Sequence, residues 1–294
     1  MEEEQIQNTQ DLVEESPKQY ILAFVGRAQS GKTTSCNFLC SLLLQSLQIT
    51  ERAWVDKLGR LCVSDLFGNR AYEGIMDMKS HHPDVIKFLD EYVHPFVKVY
   101  SFADPLKKSI AMDVLGLSYS DIYSIEGKNS LSMYKWEDMP GVLSQDKHVG
   151  LYDLAMEYVE NYGENNSWEG LHINKSGFMT NREVMQYVGT QLFRKMRSSI
   201  WSDAVLKRIK EDGSALALID DCRFLDETNS VRQAGGVAIR LTKNPKPEDT
   251  HESETEMDRG EYDFVIKNDK MSILEQCKKI YSKISDWKCL PEIS

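Results

Sequence analysis

The chain of 294 residues lacks three features, and each absence excludes a class of protein. No apolar run approaches the roughly 18 residues that a membrane-spanning helix needs, so we expect no membrane protein. The six cysteines form no C-x-x-C pair and no dense scaffold, which favours a reducing, cytoplasmic location over a secreted one. Basic residues are outnumbered, and the formal net charge of −11 disfavours an electrostatic grip on nucleic acid.

Part of that acidity lies at the start of the chain. Residues 1–19 hold six acidic residues, one lysine and almost no apolar side chains. Such a segment cannot bury enough apolar surface to offset the entropy of ordering it, so we expect a disordered acidic tail. It also lacks the basic start and the apolar stretch of a signal peptide. We therefore expect the folded part of the chain to be residues 20–290.

A phosphate-binding motif follows the first predicted strand. Residues 26–33 read G-x-x-x-x-G-K-[ST], directly after the apolar run Tyr20–Val25. Glycines let successive backbone N–H groups turn toward an anion, and the following helix adds its positive N-terminal end. Lys32 would reach the β- and γ-phosphates, and the Thr33 hydroxyl would face Mg²⁺. The predicted ATP-binding residues are Gly26, Ala28, Ser30, Gly31, Lys32, Thr33 and Thr34.

Strands and helices alternate along most of the chain. The predicted strands are 20–26, 97–102, 215–220, 236–242 and 264–266, and the clearest helices are 32–48 and 272–284. Five short strands separated by helices predict a doubly wound α/β fold with a parallel sheet and a ligand at the carboxyl ends of its strands. Two stretches, 51–96 and 119–180, exceed this minimum and are interpreted as insertions. The best helix of the second one is 152–162.

A phosphate loop alone does not distinguish ATPases, GTPases and kinases. The nearest match to the guanine-reading N-K-x-D motif, residues 174–177, lacks the aspartate, and the L-S-G-G-Q signature of transporter ATPases is absent. Several arginines are present instead, namely Arg182, Arg194, Arg197 and Arg223. Guanidinium groups bind phosphate oxygens bidentately and neutralise charge during phosphoryl transfer. The sequence therefore favours a kinase that acts on an anionic acceptor.

Six short segments, in order along the chain, carry a family likeness. They are 26–34, 103–107, 182–190, 221–223 with Glu227, 249–254 and 263–268. Together they resemble the deoxynucleoside monophosphate kinases of tailed bacteriophages, with a fainter likeness to animal phosphomevalonate kinase. The block R-x-x-x-Q-x-x-G-T at 182–190 is the specific part. The resemblance implies a three-layer α/β fold of the P-loop, adenylate-kinase-like type, with a parallel five-stranded sheet and two insertions.

The same resemblance implies a reaction. The enzyme would move the γ-phosphoryl group of Mg²⁺-bound ATP onto a deoxynucleoside 5′-monophosphate, supplying dNTP precursors in the cytoplasm, or in the host cytoplasm if the protein is viral. Lys32, Arg182 and Arg223 would be the catalytic residues. The acceptor would be held by Leu106, Lys107, Arg182, Gln186, Gly189, Thr190, Trp201, Asp221, Arg223 and Glu227.

Two acids close the strand predicted at 215–220, where a carboxylate can join Thr33 in the magnesium shell. Of Asp220 and Asp221, we favour Asp221 as the metal residue and expect Asp220 to fix the loop's backbone. His251 is expected to be structural, because a phosphate acceptor is already an anion near neutral pH. Lys128 and Lys135 are weaker candidates for phosphate contact.

Alternatives stay open at this stage. The chain could be a P-loop kinase of another phosphorylated small molecule, similar to phosphomevalonate kinase, or a nucleotide-binding switch without transfer chemistry. A switch has no need for Arg182 and Arg223 to converge on a second anion. The 51–96 segment has no counterpart in the resembling family, and it is interpreted as a lid, an oligomer contact or a binding arm. The sequence leaves open which bases are accepted and whether the chain forms a homodimer.

Overall fold

A parallel sheet of five strands forms the centre of the fold. The computed structural model describes residues 18–66, 73–143, 149–162, 172–173, 175–244 and 256–291. The sheet consists of β1 (Tyr20–Val25), β5 (Val97–Tyr100), β10 (Leu216–Cys222), β11 (Val237–Leu241) and β12 (Phe264–Ile266). Their spatial order is β12-β11-β1-β10-β5, and all four pairings are parallel. The predicted α/β fold with a parallel five-stranded sheet is confirmed.

Helices cover both faces of this sheet. On one face α1 (Lys32–Ser46) and α9 (Ile273–Ile284) share a core with Leu22 and Leu218. On the other face α7 (Ile200–Asp212) and α8 (Leu225–Gln233) share a core with Ala23 and Ile219. Successive side chains of a strand point to opposite faces, so the continuous apolar runs of β1 and β10 are buried on both sides. Helix, sheet and helix therefore form three layers.

The chain divides into two compact units. The first comprises the described residues up to Phe102 and from Ser202 onward, and it holds the central sheet. The second, Ala103–Trp201, begins and ends outside the predicted insertion at 119–180. Most of the predicted acidic tail, at residues 1–17, lies outside the described residues.

The 51–96 segment belongs to the first unit. It forms an antiparallel sheet of β2 (Thr50–Val55), β3 (Leu61–Leu66) and β4 (Glu73–Ile75), followed by α2 (Pro83–Tyr92). Its buried side chains Val63, Met78 and Leu89 join the core that α1 lines. The segment is thus built into the unit rather than appended to it.

The second unit has a core of its own around Ile122, Trp136 and Met179. Its helices are a π-type helix Pro105–Val114, α3 (Tyr119–Tyr123), α4 (Ile125–Asn129), α5 (Val149–Tyr162), α6 (Asn181–Gln186) and a second π-type helix, Tyr187–Arg194. Its strands are β6 (Leu131–Lys135), β7 (Val142–Leu143), β8 (His172–Ile173) and β9 (Phe178–Thr180), paired β6 with β9 and β7 with β8. Helix α5 confirms the helix predicted at 152–162. Among the described residues, none of the helices has the length and apolar character of a membrane-spanning segment.

Candidate functional site

The loop between β1 and α1 needs both of its motif glycines. Gly31 has φ of 98°, a left-handed conformation, and a Cβ added there would lie 2.7 Å from the Gln276 Nε2. A Cβ added to Gly26 would lie 2.4 Å from the Ser30 Oγ. A side chain at Gly31 would strain its left-handed backbone and displace the Gln276 amide, and one at Gly26 would displace the Ser30 hydroxyl. The sequence motif therefore corresponds to a tightly folded loop before the N-terminus of a 15-residue helix.

Lys32 points its ammonium group back into this loop. The side chain is buried, and its Nζ donates hydrogen bonds to the carbonyl oxygens of Gly26 at 2.5 Å and Arg27 at 2.7 Å. A lysine ammonium is compact and carries three donors, so it can bridge several oxygen atoms at once. The structure thus holds a positive charge at the loop, where phosphates are predicted to bind.

Thr33, at the start of α1, meets an acid at the end of β10. Its Oγ1 donates a hydrogen bond to the Oδ2 of Asp220 at 3.1 Å. Asp220 is only 4% exposed, and both of its oxygens lie 2.8 Å from the Nζ of Lys79. Burial raises the pKa of the Asp220 carboxyl, and the nearby Lys79 ammonium opposes that rise. Lys79 comes from the 51–96 segment, and no sequence motif marks it.

Asp221 makes a different set of contacts. Its Oδ1 accepts a hydrogen bond from the backbone N–H of Phe102 at 2.7 Å, and its Oδ2 accepts one from the Ser101 hydroxyl. Asp221 thereby ties β10 to the residues that follow β5. The structure brings Thr33 together with Asp220, whereas the sequence reasoning favoured Asp221 as its partner.

The Thr33 and Asp220 pair has the chemistry that magnesium requires. A hydroxyl and a carboxylate are hard oxygen ligands, and Mg²⁺ is usually bound through one or two carboxylates together with substrate phosphates and water. Within the described ranges, no group of three or more His, Cys, Asp or Glu side chains could hold a metal ion. The Thr33 hydroxyl and the Asp220 carboxylate are nevertheless ligand types that fit a magnesium ion.

Arg223 follows the end of β10 on a turn fixed by Glu227. The Glu227 Oε2 accepts hydrogen bonds from the backbone N–H groups of Arg223 at 2.8 Å and Phe224 at 3.1 Å. Glu227 is buried and satisfies donors at the N-terminus of α8. These contacts show Glu227 orienting the backbone that carries Arg223.

Two buried amides brace the loop from behind, and sequence reasoning assigned neither of them a role. The Asn268 Nδ2 donates to the Ser30 carbonyl at 2.8 Å and to the Gln276 Oε1 at 2.7 Å. The Gln276 Nε2 donates to the Gly31 carbonyl at 3.2 Å and to the Ser35 Oγ at 2.8 Å. Asn268 lies inside the 263–268 segment of the family likeness, which was the one signal that could have pointed to it. The amides fix carbonyls on both sides of the second motif glycine.

In the second unit, three of the predicted acceptor residues share one exposed side of a helical run. Arg182, Gln186 and Thr190 recur every four residues and are all exposed, while Val184 and Val188 between them are buried. Residues four apart lie on the same face of a helix. A reciprocal cap starts this run, since the Glu183 Oε2 accepts from the Thr180 N–H at 2.8 Å. The R-x-x-x-Q-x-x-G-T block therefore presents its polar members together.

Gly189 lets two helices of this unit meet. A Cβ added to Gly189 would lie 2.6 Å from the Leu106 Cδ2, and the indole Nε1 of Trp201 donates to the Gly189 carbonyl at 3.2 Å. Trp201 is only 8% exposed, and its ring lies against Phe193 with centroids 5.2 Å apart. The structure thus joins Leu106, Gly189 and Trp201 through packing. The expected contact of Trp201 with the acceptor stays a prediction.

Positive charges gather near Arg182. Partial burial lowers the pKa of Lys128, and the charges of Lys107 and Arg182 lower it further. The Lys107 Nζ also lies 5.3 Å from the centre of the Tyr123 ring, and the Arg182 Nε lies 3.4 Å from the Asn129 Oδ1. The three cations repel one another, and a bound dianion would offset that repulsion. The cluster is therefore suited to binding a dianion.

The contacts of the remaining candidate residues do not indicate a role in phosphate binding. Arg197 donates from its Nε to the Ser199 Oγ at 3.1 Å, Arg194 lies at the end of its π-type helix, and the Lys135 Nζ lies 5.0 Å from the Phe178 ring centre. His251 and the rest of the 249–254 segment lie outside the described residues.

Comparison with known proteins connects this geometry to a family. The family model described as deoxynucleotide monophosphate kinase matches residues 117–283, more than half of the chain. A protein of Acanthamoeba polyphaga mimivirus named "Putative deoxynucleotide monophosphate kinase" is 29% identical over 174 residues, which is 58% of this chain and 74% of that protein. The family match covers Arg182 and Arg223 and begins after the loop at 26–33. The loop's assignment therefore depends on its own motif and geometry.

Proposed function

The chain belongs to the deoxynucleotide monophosphate kinase family, and we propose that it transfers the γ-phosphoryl group of ATP to a deoxynucleoside 5′-monophosphate in the cytoplasm. The products are ADP and the deoxynucleoside diphosphate, a precursor of the dNTP. The observation that carries the proposal is the conjunction in the first unit of a motif loop, an inward-facing lysine and a hydroxyl bonded to a buried carboxylate.

The first unit is proposed to bind the donor. The loop at 26–31 would surround the phosphates with backbone N–H groups, and Lys32 would exchange its carbonyl partners for β- and γ-phosphate oxygens. Thr33 and Asp220 would face the magnesium ion, directly or through water. When bound with ATP, that ion would neutralise charge on the β- and γ-phosphate oxygens.

The acceptor is proposed to bind through the exposed residues Arg182, Gln186 and Thr190, with Lys107 and Lys128 adding positive charge. An oxygen of the acceptor's phosphate attacks the γ-phosphorus, and the bond from that phosphorus to the β,γ-bridging oxygen breaks as ADP leaves. The attacking oxygen is already anionic near neutral pH, so the step needs no general base. The arginines offset the repulsion between two anions and stabilise charge on the transferred group.

A coupled assay of ADP release tests this proposal. The acceptors compared are the four deoxynucleoside monophosphates, the corresponding ribonucleotides and phosphomevalonate. We expect release that depends on a deoxynucleoside monophosphate. Turnover with phosphomevalonate alone would establish a different acceptor, and ATP binding without acceptor-dependent turnover would indicate a switch.

Lys32→Ala should reduce turnover by orders of magnitude, because Lys32 is assigned to phosphates whose charge moves during transfer. The matched control is Lys87→Ala, an exposed lysine on α2. Circular dichroism should show both variants folded. Near-normal turnover by Lys32→Ala would refute its assignment.

The arginines are tested by the substrate that each one affects. Arg182→Ala and Arg223→Ala should raise the acceptor KM or lower kcat, with little change in ATP affinity. Arg208→Ala is a suitable control, since this arginine on α7 is largely exposed. A variant that loses only ATP binding would place its arginine on the donor side.

A further inference from the structure

The 51–96 segment contacts the proposed donor site at the start of α1. Gly59, at the turn between β2 and β3, has φ of 81°, and a Cβ added there would lie 2.2 Å from the Thr34 Oγ1. The Asn37 Nδ2 donates to the Gly59 carbonyl at 2.8 Å. The tip of this hairpin therefore rests on the first turns of the helix that follows the phosphate loop.

A second contact from the same segment reaches the Asp220 carboxylate. Lys79 lies on a turn between β4 and α2, and the turn is fixed by Asp77, whose Oδ1 accepts from the Lys79 N–H at 2.9 Å. Met76 and Met78, which precede Lys79, are buried in the core. The backbone that leads into Lys79 is thus anchored, and the Lys79 Nζ lies 2.8 Å from each carboxylate oxygen of Asp220.

These contacts make Lys79 the counter-ion of the buried Asp220 carboxylate. A carboxylate that is 4% exposed is costly to keep ionised without a cation beside it. Lys79 supplies that cation, and the Thr33 hydroxyl uses one of the same oxygens. A divalent ion entering beside Thr33 would meet an ammonium group already bound to its carboxylate ligand, and like charges this close repel strongly in a poorly solvated site.

We propose that Lys79 is a positioning residue that serves as the counter-ion of Asp220 until nucleotide-bound magnesium replaces it, so that Lys79 and Mg²⁺ compete for one carboxylate. The inference rests on the proposed function, because it takes the first unit as the donor site. It also gives the 51–96 segment a role, which is to set the affinity of the site for Mg²⁺. Lys79 acts through Asp220 and need not touch the nucleotide.

The test compares wild type, Lys79→Met and the control Lys87→Met, an exposed lysine of the same segment. The probe is Mg²⁺ titrated into protein saturated with ADP, followed by melting temperature and by calorimetry, with no acceptor and no turnover. Without Mg²⁺, Lys79→Met should have a lower melting temperature than wild type. Added Mg²⁺ should raise the melting temperature of Lys79→Met by more than it raises that of wild type. The Mg²⁺ concentration at the midpoint of the titration should be about tenfold lower for Lys79→Met than for wild type. Lys87→Met should match wild type.

Two further variants separate competition from simple structural support. Lys79→Arg keeps a cation beside Asp220 and should keep a midpoint near that of wild type. In an Asp220→Asn background, Lys79→Met should no longer shift the midpoint, because the shared carboxylate is gone. If Lys79→Met does not fold, Lys79→Gln takes its place, since it can still hydrogen-bond to Asp220 without carrying charge.

The outcomes are distinct. A lower melting temperature with an unmoved Mg²⁺ midpoint would make the pair a structural ion pair and overturn the inference while leaving the proposed function intact. Weaker ADP binding in the absence of Mg²⁺ would mean that Lys79 contacts phosphates directly, which also overturns it. A wild-type protein that binds no ADP would refute the donor site, and with it this inference.

Discussion

The substitution Asn268→Ala tests whether the buried amides stabilise the loop between β1 and α1. Asn268 is 1% exposed, and its side chain makes three hydrogen bonds, to the Ser30 carbonyl, the Gln276 Oε1 and the Lys243 backbone N–H. Their lengths are 2.8, 2.7 and 2.8 Å. The first two are fully buried, so removing the amide leaves two acceptors without their donor.

The magnitude follows from those two acceptors. A buried polar group left without its partner costs about 1–3 kcal/mol. The Lys243 N–H is only partly buried and can turn to water, so it adds little. We expect a loss of about 2–6 kcal/mol in the free energy of unfolding, a large share of the roughly 5–15 kcal/mol that stabilises typical domains. Because the Ser30 carbonyl loses its anchor, ATP affinity should fall as well.

Denaturant unfolding measures the first effect, and calorimetric titration with ATP measures the second. Lys267→Ala is the matched control, because Lys267 is exposed and adjacent in sequence. Gln276→Ala and the double variant complete a cycle whose coupling should be about 0.5–3 kcal/mol, the range for residues in one network. An Asn268→Ala variant within about 0.5 kcal/mol of wild type and with unchanged ATP affinity would refute the reasoning, since ordinary surface substitutions do no more.

Three further predictions use the same logic elsewhere. Gly189→Val should lower the free energy of unfolding by about 1–3 kcal/mol through overpacking against Leu106, and Leu106→Ala should recover part of the loss in a double variant. Asp221→Asn should reduce stability while leaving the Mg²⁺ dependence of ADP binding unchanged, whereas Asp220→Asn should weaken that dependence, as paired titrations would show. The lowered pKa of Lys128 means that its charged form is penalised in the folded state. Wild-type stability should therefore gain relative to Lys128→Met as the pH rises from neutral toward the ordinary pKa of lysine, and unfolding at several pH values checks this.

The parts of the fold that local sequence determines were predictable. The strands at 215–220 and 264–266 are short apolar runs between helices, and both occur in the sheet within two residues of their predicted ends. The tight turn between β1 and α1 was predictable from its motif, because the left-handed backbone of Gly31 is a local requirement; its role in phosphate binding stays a prediction. Helix α5 was found from its own periodicity.

Contacts between distant residues were not predictable. Lys79 and Asp220 are 141 residues apart, and Asn268 and Ser30 are 238 apart. A lone lysine in an unmatched segment is typical of a solvated surface, and its approach to the carboxylate depends on the turn fixed by Asp77 and on the burial of Met76 and Met78. Trp201 is a second example of this limit on local sequence. Its neighbours in the sequence do not indicate whether its ring is exposed or buried, and the structure buries it.

The adjacent acids at the end of β10 show what one strand position decides. Up to Ile219 the side chains of β10 alternate between the two faces, and the core beneath α1 takes Leu216 and Leu218. Beyond it the pairing with β1 shifts by one residue between Ile219 and Cys222, and both of these residues join the core on the opposite face. The two acids lie within this irregularity, where Asp220 contacts Thr33 of α1 and Asp221 bonds to residues that follow β5. Adjacency of the acids is visible in the sequence, but the shift in strand pairing that separates their contacts is not.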